Sequence, residues 1–156
     1  MNGATQPMTP PAFALRPASE TDFDFARCLY LGSMQPLLTA LDAWDADEIE
    51  TAFRGYFIPA EIQVVTLDGK DVGWVQVSKT PDALSLDQVH LIDEIRGRGI
   101  GTALIKRIIA DARNQGRNVT LSLVRGNPAL TLYRRLGFRR TSEDDTKIHM
   151  RYDTDA

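Results

Sequence analysis

The stretch EIRGRGIGTALIKRI, Glu94 to Ile108, decides how this chain is read. It packs three glycines, Gly97, Gly99 and Gly101, into five positions, and an apolar helical run follows at once. Ile100, Leu104, Ile108 and Ala112 form one stripe, flanked by Ile105 and Ile109. Lys106, Asp111, Arg113 and Asn114 fall mostly elsewhere, so the pattern predicts a helix to about Gln115, closed by Gly116. A helix start exposes N–H groups that have no intrahelical partner, and the aligned peptide dipoles add partial positive charge there. Glycine lets a bulky anion reach those groups without a Cβ in the way. Arg96 and Arg98 add cationic reach. A plain flexible turn would use the same glycines, and short glycine motifs occur often by chance.

Known phosphate-binding patterns narrow the reading. A P-loop requires four residues between its glycines and then Lys-Ser or Lys-Thr, and Gly-Lys-Thr is missing. A dinucleotide fingerprint requires Gly-x-Gly-x-x-Gly, and here Gly101 stands where the third glycine does not belong. That fingerprint also expects an acid at the end of a strand about twenty positions on, whereas the matching strand ends in Val124 and Arg125. The dinucleotide reading is weakened but not eliminated by these residues.

The flanking segments supply strands and helices on both sides. LSLDQVHLI, Leu84 to Ile92, reads as the strand leading into the glycines. NVTLSLV alternates, with Val119, Leu121 and Leu123 on one face. Asn127 is placed to cap the next helix, Pro128 suits its first turn and Gly137 ends it. Upstream, AFALR (Ala12 to Arg16) reads as a strand and Ser19 starts a helix with acids in its first turn. Phe23, Arg27, Tyr30 and Met34 follow at helical spacing. A second helical region is expected from about Pro36 to Phe57, with Asp45 and Glu48 as a capping pair inside it. Two β-rich runs flank Asp68-Gly69, a strong hairpin signal, and KIHMRY forms a last strand. The whole reads as an α/β fold, a mixed sheet sandwiched by helices.

Composition sets the class. The chain has 156 residues, 43% hydrophobic and 25% charged, which suits one domain with a real core. A net charge of −3 argues against broad nucleic-acid binding, which needs a basic face. No apolar run approaches a membrane span, so no membrane partner is expected. Residues 1–11, MNGATQPMTPP, lack a basic start and an apolar stretch and read as a short disordered lead rather than a secretory signal, with the domain at 12–153. The single cysteine, Cys28, fits a cytoplasmic protein and reads as a buried filler in an apolar helix.

Arg96-x-x-Gly99-x-Gly101 resembles the Gln/Arg-x-x-Gly-x-Gly/Ala element of the GNAT superfamily of N-acetyltransferases. NPALTLYRRLGF, Asn127 to Phe138, resembles that superfamily's second hallmark, in which Asn opens a helix, Tyr follows within two turns, and Leu-Gly-Phe leads into a strand. The two elements stand in the family's order and spacing and cover roughly Leu84 to Phe138. Asp93 stands where Pro is frequent and Ile95 where an aromatic is frequent. The resemblance implies a single-domain, mostly antiparallel central sheet, splayed at the cofactor site and flanked by helices.

It further implies acetyl-CoA as cofactor, with its pyrophosphate on the N–H groups around Arg96, Gly97, Arg98, Gly99, Ile100, Gly101 and Thr102. The pantetheine arm would run along the strand at Val89, His90 and Leu91, where the sheet opens between the strands at Val89 and Val119 and leaves ladder groups free. Asn127 would lie near that arm, although capping alone explains it. Backbone N–H from the Leu91 strand would polarise the acetyl carbonyl. Tyr133 matches the family's general acid, a phenol whose ordinary pKa of about 10 lies near that of a thiol. It also shares a stripe with Ala129, Leu132 and Leu136, as a core tyrosine would.

The base is less determined. His90 and Asp87 are the candidates on the strand, against a satisfied sheet histidine or a water relay. His149 carries no assigned role beyond a structural one. The acceptor side is expected at Leu29 to Phe57, where Asp42, Asp45, Asp47, Glu48 and Glu50 lie among Trp44, Tyr56 and Phe57. Such a rim suits a cationic amine on a small molecule or peptide, and equally describes a solvated helix face. The leading expectation is an N-acetyltransferase. A CoA-binding sensor without turnover and a dinucleotide oxidoreductase are the competitors. The oligomeric state stays open, a homodimer included.

Overall fold

A computed structural model describes residues 12–155. The expected N-terminal lead, residues 1–11, lies outside them. Seven strands form one sheet in the order β1-β2-β3-β4-β5-β7-β6. They are β1 (Ala14–Pro17), β2 (Ile62–Leu67), β3 (Lys70–Lys79), β4 (Ala83–Leu91), β5 (Asn118–Val124), β6 (Arg139–Glu143) and β7 (Lys147–Tyr152). Every neighbouring pair is antiparallel except β4–β5. A dinucleotide fold needs a predominantly parallel sheet, so this topology removes that reading.

Four helices cover the sheet: α1 (Phe23–Ala40), α2 (Ala46–Tyr56), α3 (Ile100–Asn114) and α4 (Ala129–Leu136). One core lies beneath α3 and α4, where Ile100, Leu104, Ile105 and Ile108 pack on Val75, Leu84, Leu86, Val119 and Leu121. The stripe read from the sequence is the buried face of α3. A second core joins α1 and α2 to the opposite face. There Phe53 stacks against Phe23 (ring centroids 5.3 Å apart), Tyr30 (5.0 Å) and Trp74 (6.1 Å). Strand β3 lies between the two cores and is buried continuously from Val72 to Gln76.

Local chemistry explains the element ends. Asp68 (φ 53°) and Gly69 (φ 79°) form the two-residue hairpin turn between β2 and β3. Asp45 caps α2, accepting the Glu48 N–H at 3.1 Å. Ser19 and Asp22 form a reciprocal cap on the 3-10 turn before α1. The half-exposed Arg16 guanidinium grips the buried Asp22 carboxylate at 2.8 and 3.1 Å, tying β1 to that turn.

Two expectations are corrected. Pro36 does not open a second helix; α1 runs through it to Ala40. Pro36 gives up the hydrogen bond to the Gly32 carbonyl four residues back, and the buried side chains on either side, Tyr30 before it and Leu38 after it, hold the helix together. Cys28 is exposed on α1 rather than buried, because Ala26 and Tyr30 carry the inward face there. Among the described residues no helix is long and apolar enough to cross a membrane.

Candidate active site

The glycine stretch folds as an uncapped helix start. After a 3-10 turn at Asp93–Ile95, Arg96 is extended and Gly97 and Gly99 take φ of 78° and 82°. A residue with a Cβ is strained at such angles, so glycine here is what turns the chain into α3. The first intrahelical bond runs from Ala103 N–H to Gly99 C=O at 3.0 Å. The N–H groups of Ile100, Gly101 and Thr102 have no partner among the described residues, and no side chain caps them. A Cβ on Gly101 would meet only Leu91 Cδ1, at 3.7 Å, and one on Gly97 would meet nothing within 4 Å. At Gly97 the backbone angle accounts for the glycine, whereas at Gly101 neither angle nor packing demands it, and the open space there lies beside free amides. Arg96 pairs with Asp93 at 3.2 Å, and Arg98 makes no ion pair among the described residues.

Next to this cradle the sheet comes apart. β4 and β5 pair from Ala83↔Asn118 to Leu86↔Leu121 and then stop. A β-bulge in β4 against Gln76/Val77 leaves Asp87 as the extra residue at that point. Beyond it β4 stays on β3, and Ser122 to Val124 stay on β7. The opening therefore faces Ser122 to Val124. The expected parting of the Val89 and Val119 strands is present, and Val119 itself pairs with Leu84 in the closed part. Ile92 N–H donates to Val72 C=O at 2.9 Å, so by antiparallel alternation the N–H and C=O groups of Val89 and Leu91 point away from β3, into the gap. Gly73 sets the position of this stretch: a Cβ there would sit 2.4 Å from the His90 carbonyl oxygen and 2.6 Å from Leu91 Cδ2.

Tyr133 lies on α4 with its ring buried against Phe138, centroids 5.5 Å apart. Its hydroxyl bonds no protein group among the described residues, and burial pushes the phenol up to about 12. The group stays neutral through the physiological range and holds its proton more tightly than an ordinary tyrosine. Asn127 Oδ1 accepts the Ala129 N–H at 2.9 Å, so its capping role is satisfied as expected.

The two expected bases sit on the sheet face toward α1 and α2. His90 is buried, its ring 5.0 Å from Trp74 and 5.7 Å from Tyr30. Nε2 lies 2.7 Å from Gln88 Oε1 and Nδ1 lies 3.2 Å from Ser33 Oγ. The Gln88 oxygen can only accept, so Nε2 carries the proton and Nδ1 accepts from Ser33. Burial, with Arg96 adding to it, pushes this imidazole down to about 4. His90 is thereby a satisfied, neutral core group poorly suited to accept a proton. Asp87 is exposed at the bulge, its oxygens accepting the Ser78 and Ser85 hydroxyls at 2.7 and 2.6 Å.

A second histidine on this face had no role assigned from sequence. Ser122 Oγ lies 2.6 Å from His149 Nδ1, and His149 Nε2 lies 3.8 Å from Asp144 Oδ2. Alternation along β5 and β7 placed both residues on a polar face, but their pairing comes from strand register. The expected acidic rim is spread out: Glu50 is bound by Arg27, while Asp42, Asp45, Asp47 and Glu48 face solvent.

Residues 58–140 match the Acetyltransferase (GNAT) domain. A relative from Methanocaldococcus jannaschii, named an uncharacterized N-acetyltransferase, is 32% identical over 84 residues, a match that spans 48% of this chain and 37% of the relative. Two solved structures share the fold. PaiA N-acetyltransferase from Thermoplasma acidophilum, in complex with coenzyme A, superposes with a TM-score of 0.73 at 16% identity, over 91% of this chain and 99% of that one. Ard1 from Thermoplasma volcanium gives 0.65 at 21% identity, over 90% and 96%. With the split sheet, the open helix start and the match over residues 58–140, this chain belongs to the GNAT acetyltransferase family.

Proposed function

We propose that the chain is an acetyl-CoA-dependent N-acetyltransferase that acts on a primary amine of a small molecule, peptide or protein by direct attack in a ternary complex. One observation carries the reading: three unpartnered amides at the start of α3 lie beside a sheet whose β4 groups are free. The fit to coenzyme A rests on the same groups. A diphosphate suits the N–H groups of Ile100, Gly101 and Thr102, beside Arg98. The amides of Val89 and Leu91 suit an arm that itself carries amides, in the manner of an added strand.

Acetyl-CoA supplies the activated acetyl group. A β4 N–H aimed into the gap, that of Val89 being the nearer to the lip of the split, stabilises the carbonyl oxygen as charge develops on it. Tyr133 supplies a proton to the departing sulfur. Its elevated pKa suits a hydrogen-bond donor that stays protonated until the sulfur leaves. Asp87 lends negative charge to the mouth on the amine side.

Calorimetric titration tests the binding half. Acetyl-CoA and CoA should bind, and NAD should not. A thiol-release assay over alkyl, aryl and peptide amines tests the transfer half and separates an enzyme from a binding module. No heat with millimolar acetyl-CoA would overturn the proposal.

A further inference from the structure

We propose that Ser122, His149 and Asp144 form the proton-accepting relay of this acetyl-transfer site. The inference rests on the transferase reading above. Ser122 is the first β5 residue beyond the last β4–β5 pair, so it lies at the lip of the split. Leu121 and Leu123 point into the core under α3 and α4, so Ser122 points to the opposite face, the one that carries Gln88 and His90 across the gap. Helices α1 and α2 pack over the β3–β4 side of that face. Ser122 is exposed, and the His149 side chain keeps 38% of its surface. An amine therefore reaches Ser122 from solvent, whereas His90 is sealed beneath α1.

The arrangement is built rather than incidental. Ser122 and His149 are Cα partners in the β5–β7 ladder, so their 2.6 Å contact is held by the sheet itself. Asp144 Oδ1 accepts the N–H groups of Thr146 and Lys147 at 2.8 and 2.7 Å. Those backbone bonds, Lys147 foremost, keep its carboxyl below the usual carboxylate range, with a smaller contribution from His149. A fixed anion beside Nε2 favours the proton on that nitrogen and frees Nδ1 to accept from Ser122. The other charges on neighbouring elements are largely engaged: Arg140 of β6 and Arg125 after β5 both pair with Glu143, and Arg151 of β7 pairs with Asp153. Lys147, on β7 itself, is the remaining cation of that strand.

The proton balance is simple. The amine nitrogen forms a bond to the acetyl carbon, and the carbon–sulfur bond breaks. The nitrogen's excess proton passes to Ser122 Oγ as the serine's own proton moves to His149 Nδ1, and the imidazolium is stabilised by Asp144. The sulfur leaves with the proton from Tyr133, and both protein groups re-equilibrate with solvent. Ser122 is the catalytic residue of this relay; His149 and Asp144 act through it as positioning residues.

Two measurements test the relay. In the ligand-free protein, the nitrogen NMR shifts of His149 should report the Nε2–H tautomer, and Asp144→Asn should weaken that preference. The Nδ1–H tautomer would overturn the proposal. In steady-state assays, Ser122→Ala and His149→Gln should lower kcat by about 10²-fold or more, the usual scale for general-base loss, while the KM and Kd for acetyl-CoA stay within about twofold. Imidazole in the buffer should restore part of the rate to His149→Gly. Wild-type kcat in His149→Gln overturns the relay. Failure of the wild type to bind acetyl-CoA overturns the transferase reading instead, while the tautomer still judges the hydrogen-bond chain.

Discussion

Tyr133 shows how burial turns a common residue into a specialised one. Its ring belongs to the core, yet its hydroxyl has no protein partner among the described residues. Tyr133→Phe keeps the ring and removes only the proton donor. It should lower kcat by about 10²-fold with acetyl-CoA affinity retained, read by thiol release and calorimetry. An unchanged kcat would remove Tyr133 from the chemistry. Gly73 is the second residue whose chemistry is positional. With a Cβ only 2.4 Å from a backbone oxygen, Gly73→Ala must displace β4 at His90 and Leu91. We expect a loss of about 1–3 kcal/mol in urea unfolding and a fall in kcat larger than that caused by a surface substitution. His90 contributes through pH. Its folded value of about 4 lies below the ordinary 6.5, so the unfolded chain binds the proton more readily. Its effect is absent above about pH 6.5, grows as pH falls, and is complete near pH 4, where about 3 kcal/mol of stability is lost. Unfolding curves of His90→Gln should lose that part of the pH dependence.

At the scale of elements, the start of α3 is incomplete as a helix, and the proposed cofactor site rests on that incompleteness. A well-capped helix would satisfy the amides that here remain free. Gly101→Val tests this directly. An added Cβ there meets only Leu91 Cδ1, at 3.7 Å, so the melting temperature of the free protein should move by no more than a few degrees. It would stand in the space beside the free amides, so the stabilisation by acetyl-CoA should disappear. A retained thermal shift would mean that the anion rests elsewhere. By contrast α2 is closed by Asp45, and Asp45→Ala should cost about 1 kcal/mol without any change in cofactor affinity.

At the scale of the whole molecule, two sets of groups face one opening. Val89 and Leu91 present free backbone groups, while Ser122 and His149 present side chains on the face left open to solvent. The amides of Val89 and Leu91 should exchange hydrogen faster than those of Gln88 and His90, which are turned toward β3, and acetyl-CoA should protect them. Equal protection in the free protein would contradict the opening.

Much of this was legible in the residues. Glycine at positions 97, 99 and 101 followed by an apolar stripe specified the helix start, and Asn127, Pro128 and Tyr133 specified the second hallmark. Hairpin chemistry at Asp68-Gly69 and the alternation of β5 and β7 were equally local, because turns and periodicity depend on near neighbours. Helix α1 ran past Pro36, since the packing of Tyr30 and Leu38 on either side of it outweighed the local break. Local pattern by itself determined the strands, the helices other than the boundary at Pro36, and the glycine-rich start of α3. Strand register was decided only by tertiary structure: it closed Val119 against Leu84, buried His90 beneath α1 and brought Ser122 to His149. Residues 27 positions apart carry no mark of each other in the chain, and only the packing of two buried faces sets which of them meet.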